Sequence, residues 1–280
     1  MNFDPRITPA RPDLAAAHLR GKVQATRYAE GTEQEVIAGI APVRTEPSHG
    51  ATLLTEALCG ERVTIYETDE DGWAWGQLKT DGYVGWLPAA ALLASAAAPT
   101  HKVAALRTLV FPGASIKLPP TDGLPLGAHV SVVREQDSFA VSAAGGYVPK
   151  RHLAPLTAAE TDFVAVAERF ADVPYLWGGK SSLGIDCSGL VQVALAACGV
   201  PCPRDSDMQE AAVGKPISLA GLQRGDLIFW KGHVAIAMNR NSMIHANAFH
   251  MAVAAEPMAE GLARIGAAGS QVTSVRRLKA

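Results

Sequence analysis

The chain has little excess charge and no long apolar segment. Its 25 Lys and Arg nearly balance its 27 Asp and Glu, which gives a net charge of −2 at pH 7. So small a charge gives no reason to expect nucleic acid or an anionic membrane as a partner. The N-terminus lacks a positive start followed by an apolar core, and no later stretch reaches about 18 uninterrupted apolar residues. We therefore expect an unexported, cytoplasmic protein that contacts no membrane.

Cysteine is also scarce. The four residues are irregularly spaced and are Cys59, Cys187, Cys198 and Cys202. A chain of this size can bury a core without disulfides, so we do not expect disulfides to build the fold. Cys198 and Cys202 lie close together in sequence, but no second cysteine pair and no histidine at finger-like spacing accompanies them. This pattern argues against zinc, and we expect neither a metal nor another cofactor.

The composition, with 48% hydrophobic residues in 280, allows two or three domains. Residues 1–35 are predicted to be a helical arm, in which residues 12–20 form a short helix closed by Gly21. From residue 36 the chain changes to short apolar runs separated by turn residues, at a spacing of about ten residues. This texture predicts a small β-barrel or sandwich over residues 36–96, and the small, unpatterned residues 93–99 predict a linker.

Residues 100–155 repeat the pattern of the first block. LPLGAHVSVV parallels ALCGERVTIY, and GGYVPKRHL parallels DGYVGWLPAAAL, which indicates an internal duplication and a second small barrel. The first copy carries four aromatics within fourteen residues, namely Trp73, Trp75, Tyr83 and Trp86. Aromatics at this density either fill the core or form a binding face. The second copy has fewer aromatics and is predicted to be a spacer.

The last block, residues 156–280, begins with helical periodicity over residues 156–171, where Thr157 or Thr161 would be the cap. A second helix follows the segment DVPYLWGGKSSLGID and ends at Gly199. Further on, the apolar run 251–257, a short helix near 257–265 and the C-terminal run predict a mixed sheet.

Cys187 is placed at the beginning of this second helix, directly after Asp186 as its N-cap. A helix N-terminus favours negative charge, so a cysteine there can hold a thiolate at a pH where a free thiol is protonated. A buried structural cysteine is the alternative, and for a cysteine alone it is the more common one. The choice therefore depends on the partners of Cys187.

Two histidines supply such partners. His233 opens an alternating apolar run, and His245 ends a second run after the turn-like residues 239–241. If the runs form a hairpin, the two histidines lie within reach of each other. Packed on the helix of Cys187, they give a thiolate, an imidazole base and a group that orients the base. Either histidine alone is more often a structural or surface residue, so the argument rests on the three together.

Four runs resemble the NlpC family of papain-like bacterial cell-wall peptidases: PYLWGG at 174–179, DCSGLVQ at 186–192, GDLIFW at 225–230 and GHVAIAM at 232–238. The resemblance implies that Cys187 is the nucleophile, His233 the base and His245 the orienting residue. The blocks at 36–96 and 100–155 resemble bacterial SH3-like barrels. The expected fold is therefore multidomain, with two small all-β SH3-like barrels followed by an α+β papain-like cysteine peptidase domain.

The resemblance also implies a set of substrate-binding residues. They are Asp186, Ser188, Tyr83, Tyr175, Trp177, Arg204, Ser206 and Asp207. In the subgroup with two barrels ahead of the peptidase, a tyrosine of the first barrel helps to close the site, and Tyr83 occupies that position. Asp186 and Ser188 are expected beside the N-terminal amine of the substrate. Alternatives remain open: Asp186 can be a helix cap, Tyr175 a wedge under its loop, and Ser206 or Asp207 a cap of the following helix.

The function that the resemblance implies is hydrolysis of the bond between γ-D-glutamate and an L-diamino acid, lysine or diaminopimelate, in murein peptides. The substrate would carry a free N-terminal L-Ala, and the enzyme would release L-Ala-γ-D-Glu during recycling of cell-wall peptides. Two other functions are considered, an inert murein-binding adaptor and an amide or acyl transferase. An inert adaptor has no reason to keep Cys187, His233 and His245 together. Transfer uses the same thioester as hydrolysis, and the sequence does not distinguish the two.

Overall fold

The computed structural model describes residues 3–94 and 97–278. The chain divides into two compact units, residues 1–158 and residues 159–280. Of the predicted linker, Leu93 belongs to a strand, whereas Ser95 and Ala96 lie outside the described residues. Over the described ranges, no helix is both long enough and apolar enough to cross a membrane.

The N-terminal arm of the first unit is not the helix that the sequence predicts. Strand β1 (Leu14–Ala16) runs parallel to β2 (Arg27–Ala29), and only one turn of 3-10 helix (Ala17–Leu19) follows β1. All residues of β1 are buried. A surface helix buries one stripe, whereas burial at consecutive positions fits a strand that is covered on both faces. The predicted helix over residues 12–20 is therefore wrong, because tertiary burial overrides the local pattern.

The first barrel is a seven-stranded sheet with the order β5-β4-β8-β7-β6-β3-β9. Its strands are β3 (Thr32–Val36), β4 (Ile40–Arg44), β5 (Leu53–Leu58), β6 (Arg62–Thr68), β7 (Trp73–Leu78), β8 (Val84–Pro88) and β9 (Leu92–Leu93), with a 3-10 turn (Ala89–Ala91) before β9. β3 pairs with β6, so the sheet already begins at Thr32, inside the polar stretch that the sequence assigns to the arm. The polar side chains of Thr32 and Glu33 face solvent, and only Val36 of this strand is fully buried.

The aromatic residues of the first barrel are core residues. All four are buried, namely Trp73, Trp75, Tyr83 and Trp86. Tyr83 belongs to the main core cluster of the barrel, while the three tryptophans form a second cluster with Leu14 of β1. The guanidinium of Arg11 stacks on Trp75 and Trp86, at 4.5 and 4.8 Å from the ring centroids. The arm thus covers the tryptophans, and the alternative of an exposed aromatic binding face does not hold.

The second block of the first unit contains three small sheets, β13-β10-β17, β11-β12 and β14-β15-β16. Its strands are β10 (His101–Val103), β11 (Arg107–Val110), β12 (Asp122–Pro125), β13 (His129–Val130), β14 (Val132–Gln136), β15 (Phe139–Ser142), β16 (Tyr147–Pro149) and β17 (Leu153–Pro155), with a 3-10 turn (Lys150–His152) before β17. Leu58 of the first barrel packs into the core of this block, and the Gly39 N–H donates to Asp122 at 3.0 Å. These contacts join both blocks in one compact unit. That this block is a second SH3-like barrel stays a prediction.

The described part of the second unit, residues 159–278, combines four α-helices with an antiparallel sheet. The helices are α1 (Phe163–Glu168), α2 (Cys187–Ala197), α3 (Ser206–Ala212) and α4 (Met258–Ala267), and a 3-10 turn covers Leu219–Gly221. The strands are β18 (Lys180–Ser181), β19 (Gly184–Ile185), β20 (Lys215–Ile217), β21 (Asp226–Trp230), β22 (His233–Asn239), β23 (Ser242–Asn247), β24 (Ala252–Pro257) and β25 (Val272–Arg277). β18 pairs with β19, and the other six follow the order β20-β25-β21-β22-β23-β24.

Every neighbouring pair in this six-stranded sheet is antiparallel, so the predicted mixed sheet is wrong. Short connections join β21 to β22, β22 to β23 and β23 to β24, and such hairpins produce antiparallel neighbours. α1 is shorter than the sequence predicts. Its cap is Asp162, whose carboxylate accepts from the N–H groups of Val164 and Ala165, and not Thr157 or Thr161.

Helix α2 is the buried centre of the unit. Its residues are buried from Cys187 to Leu195, and it lies against α1, β22 and β23. A hydrophobic cluster that includes Trp230 and Met258 fills the space between the sheet and α4. A helix that is buried on most of its surface holds its first residue in a fixed place, which is what a nucleophile at that position requires.

Candidate active site

The helix that carries Cys187 is formed and capped as the sequence predicts. Cys187 is the first residue of α2 and is buried. The Asp186 carboxylate accepts a hydrogen bond of 2.7 Å from the N–H of Gly189, which is the bond of an N-cap. At the other end, Gly199 has φ +75° and its N–H donates to the carbonyl of Ala196. The predicted helix, its cap and its end are confirmed.

The glycine-rich loop before α2 lies in direct contact with the start of the helix. The Gly178 N–H donates to Asp186 Oδ2 at 2.8 Å, and the Asp186 N–H donates to the carbonyl oxygen of Gly179 at 3.2 Å. A β-carbon at Gly189 would lie 2.3 Å from that same carbonyl oxygen. The structure shows that these glycines let the loop touch the helix and so fix its first turn.

The two histidines meet on the predicted hairpin, which β22 and β23 form. His233 Nε2 lies 2.8 Å from His245 Nδ1. α2 packs on β22, and the Cys187 sulfur accepts from the backbone N–H of Val234, the residue after His233. The two histidines are thus in direct contact, and the thiol lies against the backbone of the residue that follows the first one; Cys187, His233 and His245 are called the row below.

A glutamate that the sequence analysis missed continues this row. His245 Nε2 lies 2.6 Å from Glu256 Oε1, and Arg264 of α4 donates to the same oxygen. In the sheet His245 pairs with Ala254, and alternate residues of a strand face the same side, which places Glu256 on the side of the histidines. The signal in the sequence is a single carboxylate in the apolar run AVAAEP. Only the register of β23 and β24 shows that this carboxylate lies beside His245.

Burial is the main influence on the protonation states of Cys187, His233 and His245. It raises the pKa of the Cys187 thiol to about 12, with the Asp186 charge acting in the same direction. It lowers the pKa of His233 to about 3, with the neighbouring His245 adding to the effect. Burial also lowers the pKa of His245, although Glu256 opposes that shift. At neutral pH the thiol is protonated and both imidazoles are neutral. Desolvation thus opposes the thiolate that the field of the helix N-terminus favours.

Asp186 is engaged by the protein itself. Arg204, which is 1% exposed, donates to Asp186 Oδ1 at 2.9 Å and to Oδ2 at 2.7 Å. The Ser188 hydroxyl accepts from Arg204 at 2.8 Å and donates to Asp186 at 3.2 Å. With the N–H groups of Gly178 and Gly189, the carboxylate accepts five hydrogen bonds, whereas a carboxylate offers about four acceptor sites.

The contact of Asp186 with a substrate amine stays a prediction, since a capping role and an amine contact are compatible. The alternative, a helix cap, is confirmed. Ser188 and Arg204, which the sequence analysis also assigns to the substrate, belong to the same buried network. Their contacts stabilise the position of the nucleophile helix, and a buried ion pair with satisfied hydrogen bonds can do so without a ligand.

Two aromatic residues, Tyr175 and Trp177, precede the two glycines of the loop. The backbone N–H of Tyr175 donates to the carbonyl of Met251, and Tyr175 forms a bridge with Ile185. Burial raises the pKa of the Tyr175 phenol, and negative charge on Cys187 and Asp186 would raise it further, so the phenol faces the site. Trp177 is 64% exposed. The contacts of Tyr175 and Trp177 with a substrate stay predictions.

The remaining predicted substrate residues belong to α3 and to the first unit. Ser206 and Asp207 are in the first turn of α3, whose N-cap position is Asp205, so neither of them is the cap. α3 is tied to the nucleophile helix by Gln209, whose Nε2 donates to the Ser188 carbonyl at 2.9 Å. Tyr83 is in the other unit and is buried in the core of the first barrel, with 3% of its surface exposed. The substrate contacts of Ser206, Asp207 and Tyr83 stay predictions.

One group of side chains has the composition of a metal site. Ligand atoms of His245, His250 and Glu256 all lie within 4.8 Å of one another. His250 Nδ1 is 3.0 Å from the side-chain oxygen of Asn247, and Arg264 donates to Glu256. The guanidinium supplies the positive charge beside this carboxylate. A hydrogen-bonded chain accounts for the arrangement better than a cation does.

Two segments match known protein families. Residues 43–92 match the model described as bacterial dipeptidyl-peptidase Sh3 domain, and residues 172–264 match the NlpC/P60 family. The chain thus carries an SH3-like N-terminal domain and an NlpC/P60 papain-like domain. NlpC/P60 peptidases are cysteine peptidases, in agreement with the row that contains Cys187.

Individual proteins extend this comparison. "Dipeptidyl-peptidase 6" of Lysinibacillus sphaericus is 38% identical over 110 residues, which are 36% of this chain and 41% of that protein. The chain therefore spans less than half of that relative. "Gamma-D-glutamyl-L-lysine dipeptidyl-peptidase" of Bacillus cereus is 29% identical over 228 residues, 69% of this chain and 67% of that protein. The crystal structure of an NlpC/P60 family protein from Bacillus cereus has a TM-score of 0.73 at 21% identity, covering 88% of this chain and 99% of that chain. It shows that the fold is shared.

Proposed function

We propose that the chain is a cysteine peptidase that hydrolyses the bond between γ-D-glutamate and an L-diamino acid in murein peptides. The observation that carries the proposal is the row of Cys187, His233 and His245 at the start of a rigid, capped helix. The name of the Bacillus cereus relative supports the choice of bond. The substrate we propose has a free N-terminal L-Ala, and the product is L-Ala-γ-D-Glu. We assign this reaction to the recycling of cell-wall peptides in the cytoplasm.

The first half-reaction follows from the neutral thiol and neutral imidazole. The Cys187 sulfur attacks the γ-carbonyl carbon of D-glutamate while His233 takes the thiol proton, so no stable thiolate is required. Backbone N–H groups at the start of α2 stabilise the oxyanion of the tetrahedral intermediate. The intermediate collapses when the carbon–nitrogen bond breaks, and the leaving amine takes the proton from the imidazolium of His233.

The second half-reaction releases the dipeptide. Water attacks the thioester on Cys187 and gives its proton to His233. The carbon–sulfur bond then breaks, and the imidazolium returns the proton to the sulfur. His245 holds the imidazole of His233 by the 2.8 Å hydrogen bond through both halves. The attack that opens each half-reaction needs His233 to be neutral beforehand, and the lowered pKa of His233 favours that state.

The test is to incubate the full chain with L-Ala-γ-D-Glu-L-Lys and to follow the release of L-Ala-γ-D-Glu by mass spectrometry. Cys187→Ala should abolish turnover and leave the fold intact, and His233→Ala should lose nearly as much, because the two residues act as one unit. The matched control is Cys198→Ala, which removes a thiol from the other end of the same helix. Full turnover by Cys187→Ala would refute the mechanism.

Two further arms define the substrate and the reaction type. The N-acetylated peptide should react far more slowly if the free amine is needed, and equal rates for both peptides would remove that requirement. An amino acid such as glycine, added as an amine that does not cleave a thioester by itself on the time scale of the assay, should not replace water as acceptor. Capture of most of the acyl group by the added amine would identify a transferase, and binding of the peptide without any product would identify an inert adaptor.

A further inference from the structure

The two histidines of the site share one hydrogen bond, in which one ring must donate and the other must accept. A neutral imidazole has one nitrogen of each kind, and its neighbours decide which nitrogen carries the proton. The bond joins His233 Nε2 to His245 Nδ1 at 2.8 Å. Its direction therefore determines whether the remaining nitrogen of His233 can accept the proton of the thiol.

The direction can be read from the far end of the row. Glu256 Oε1 accepts from Arg264, a side chain that has donors only, and the same oxygen lies 2.6 Å from His245 Nε2. This oxygen acts as an acceptor, so His245 Nε2 carries the proton of its ring. His245 Nδ1 is then an acceptor, and His233 Nε2 must donate to it. The lone pair of His233 is left on Nδ1, where it can take a proton.

We propose that Glu256, held by Arg264, is a positioning residue that fixes His245 and, through it, His233 in the Nε2–H tautomer. His233 Nδ1 then accepts the proton of the Cys187 thiol. The inference rests on the proposed function for its catalytic consequence, whereas the tautomers follow from the hydrogen bonds alone. Glu256 touches neither the thiol nor the base, so it acts only through His245.

The surroundings hold Glu256 in place. Arg264 is clamped between the glutamate and Phe249, with its guanidinium 4.3 Å from the ring centroid. α4 approaches the strands closely at Gly261, where a β-carbon would lie 1.9 Å from Met243 Cε and 3.0 Å from the Glu256 carboxyl carbon. Glycine at this position leaves room for the glutamate to reach His245. A side chain confined in this way has few alternative rotamers, which favours a fixed hydrogen-bond direction.

The first readout is spectroscopic and independent of turnover. Nitrogen NMR of the full chain labelled with ¹⁵N-histidine distinguishes Nε2–H from Nδ1–H rings, and we expect Nε2–H for both His233 and His245. An Nδ1–H ring at His233 in the wild type would overturn the proposal, whether or not the protein cleaves any peptide. Absence of cleavage with Nε2–H rings at both positions would refute the proposed function and leave the tautomer assignment standing.

The second readout is kinetic. A wrong tautomer in a Ser-His-Asp triad costs about 10⁴ in kcat, and because Glu256 acts through one more ring we expect Glu256→Ala to lose roughly 10- to 100-fold in kcat with KM unchanged. Glu256→Gln should keep most of kcat, because the amide oxygen can accept from both His245 and Arg264. The matched control is Glu260→Ala, an exposed carboxylate on α4, which should behave as wild type. Wild-type kcat and tautomers in Glu256→Ala would overturn the proposal. Should that variant fail to fold, the wild-type and Glu256→Gln spectra carry the test.

Discussion

The buried ion pair beneath the nucleophile helix gives the sharpest test of the structure. The guanidinium of Arg204 makes four hydrogen bonds, two to Asp186, one to Ser188 and one to the Gly179 carbonyl. Replacing Arg204 by Met keeps an unbranched side chain and removes all four. The Asp186 carboxylate then remains buried without its cation, while it keeps the N–H groups of Gly178 and Gly189.

The expected loss of stability in Arg204→Met follows from the hydrogen bonds that are lost and kept. Breaking a buried ion pair by removing one partner costs about 3–5 kcal/mol. The hydrogen bonds that Asp186 retains place Arg204→Met at the lower end of the range. We expect about 3 kcal/mol, which is roughly a 100-fold increase in the equilibrium constant for opening of the helix. The double variant Arg204→Met/Asp186→Asn should recover part of the loss, because no buried charge is left unpaired.

The assay is native-state hydrogen exchange of the amides of α2, read by mass spectrometry in the full chain, because the chain has two compact units and bulk unfolding mixes them. The matched control is Arg224→Met. Arg224 is 41% exposed in its side chain and pairs with Asp162 and Glu168 at the surface, where such a change costs about 0–1 kcal/mol. If Arg204→Met opened α2 no more readily than Arg224→Met does, the assignment of Asp186 to a structural network would be refuted.

Two more predictions concern pH and backbone packing. Because burial lowers the pKa of His233 from 6.5 to about 3, the unfolded chain binds a proton that the native chain does not, so stability falls as the pH drops from 6.5 towards 3. His245 acts with the same sign. His233→Gln should make the free energy of opening of α2, measured by hydrogen exchange between pH 7 and pH 4.5 and corrected for intrinsic rates, less dependent on pH; an unchanged dependence would contradict the burial of a neutral ring. Gly189→Ala should destabilise the second unit by about 1–3 kcal/mol, since its methyl group meets the Gly179 carbonyl, while Gly221→Ala, which meets nothing within 4 Å, should be close to neutral in the same hydrogen-exchange measurement.

The sequence was sufficient for the parts of the site that depend on local pattern. The start and end of α2 follow from Asp186 and Gly199, and the hairpin follows from two alternating runs around a turn. The hairpin brings His233 and His245 together, and the packing of α2 on β22 places Cys187 on the same strand as His233. Local signals therefore predict the row as far as the second histidine.

The rest depends on contacts between distant segments. Leu14 lies in a buried strand because tryptophans of the first barrel cover it, and no pattern within residues 12–20 records that contact. Glu256 joins the row only through the register of β23 and β24, and Asp186 is occupied only because Arg204 reaches it from eighteen residues away. For Glu256 and Asp186 the residue type was visible in the sequence, while the partner of the side chain was not.

Because the thiol and the imidazole are both neutral, other side chains must hold them in position. An ion pair of thiolate and imidazolium would hold itself together by charge, but burial keeps Cys187 protonated and His233 neutral. Proton transfer between two neutral groups depends on which nitrogen faces the thiol and how far away it lies. The network of Asp186 and Arg204 fixes the thiol from one side, and the chain from His245 to Glu256 fixes the imidazole from the other. Loosening either one should therefore lower kcat before it lowers the affinity for the peptide.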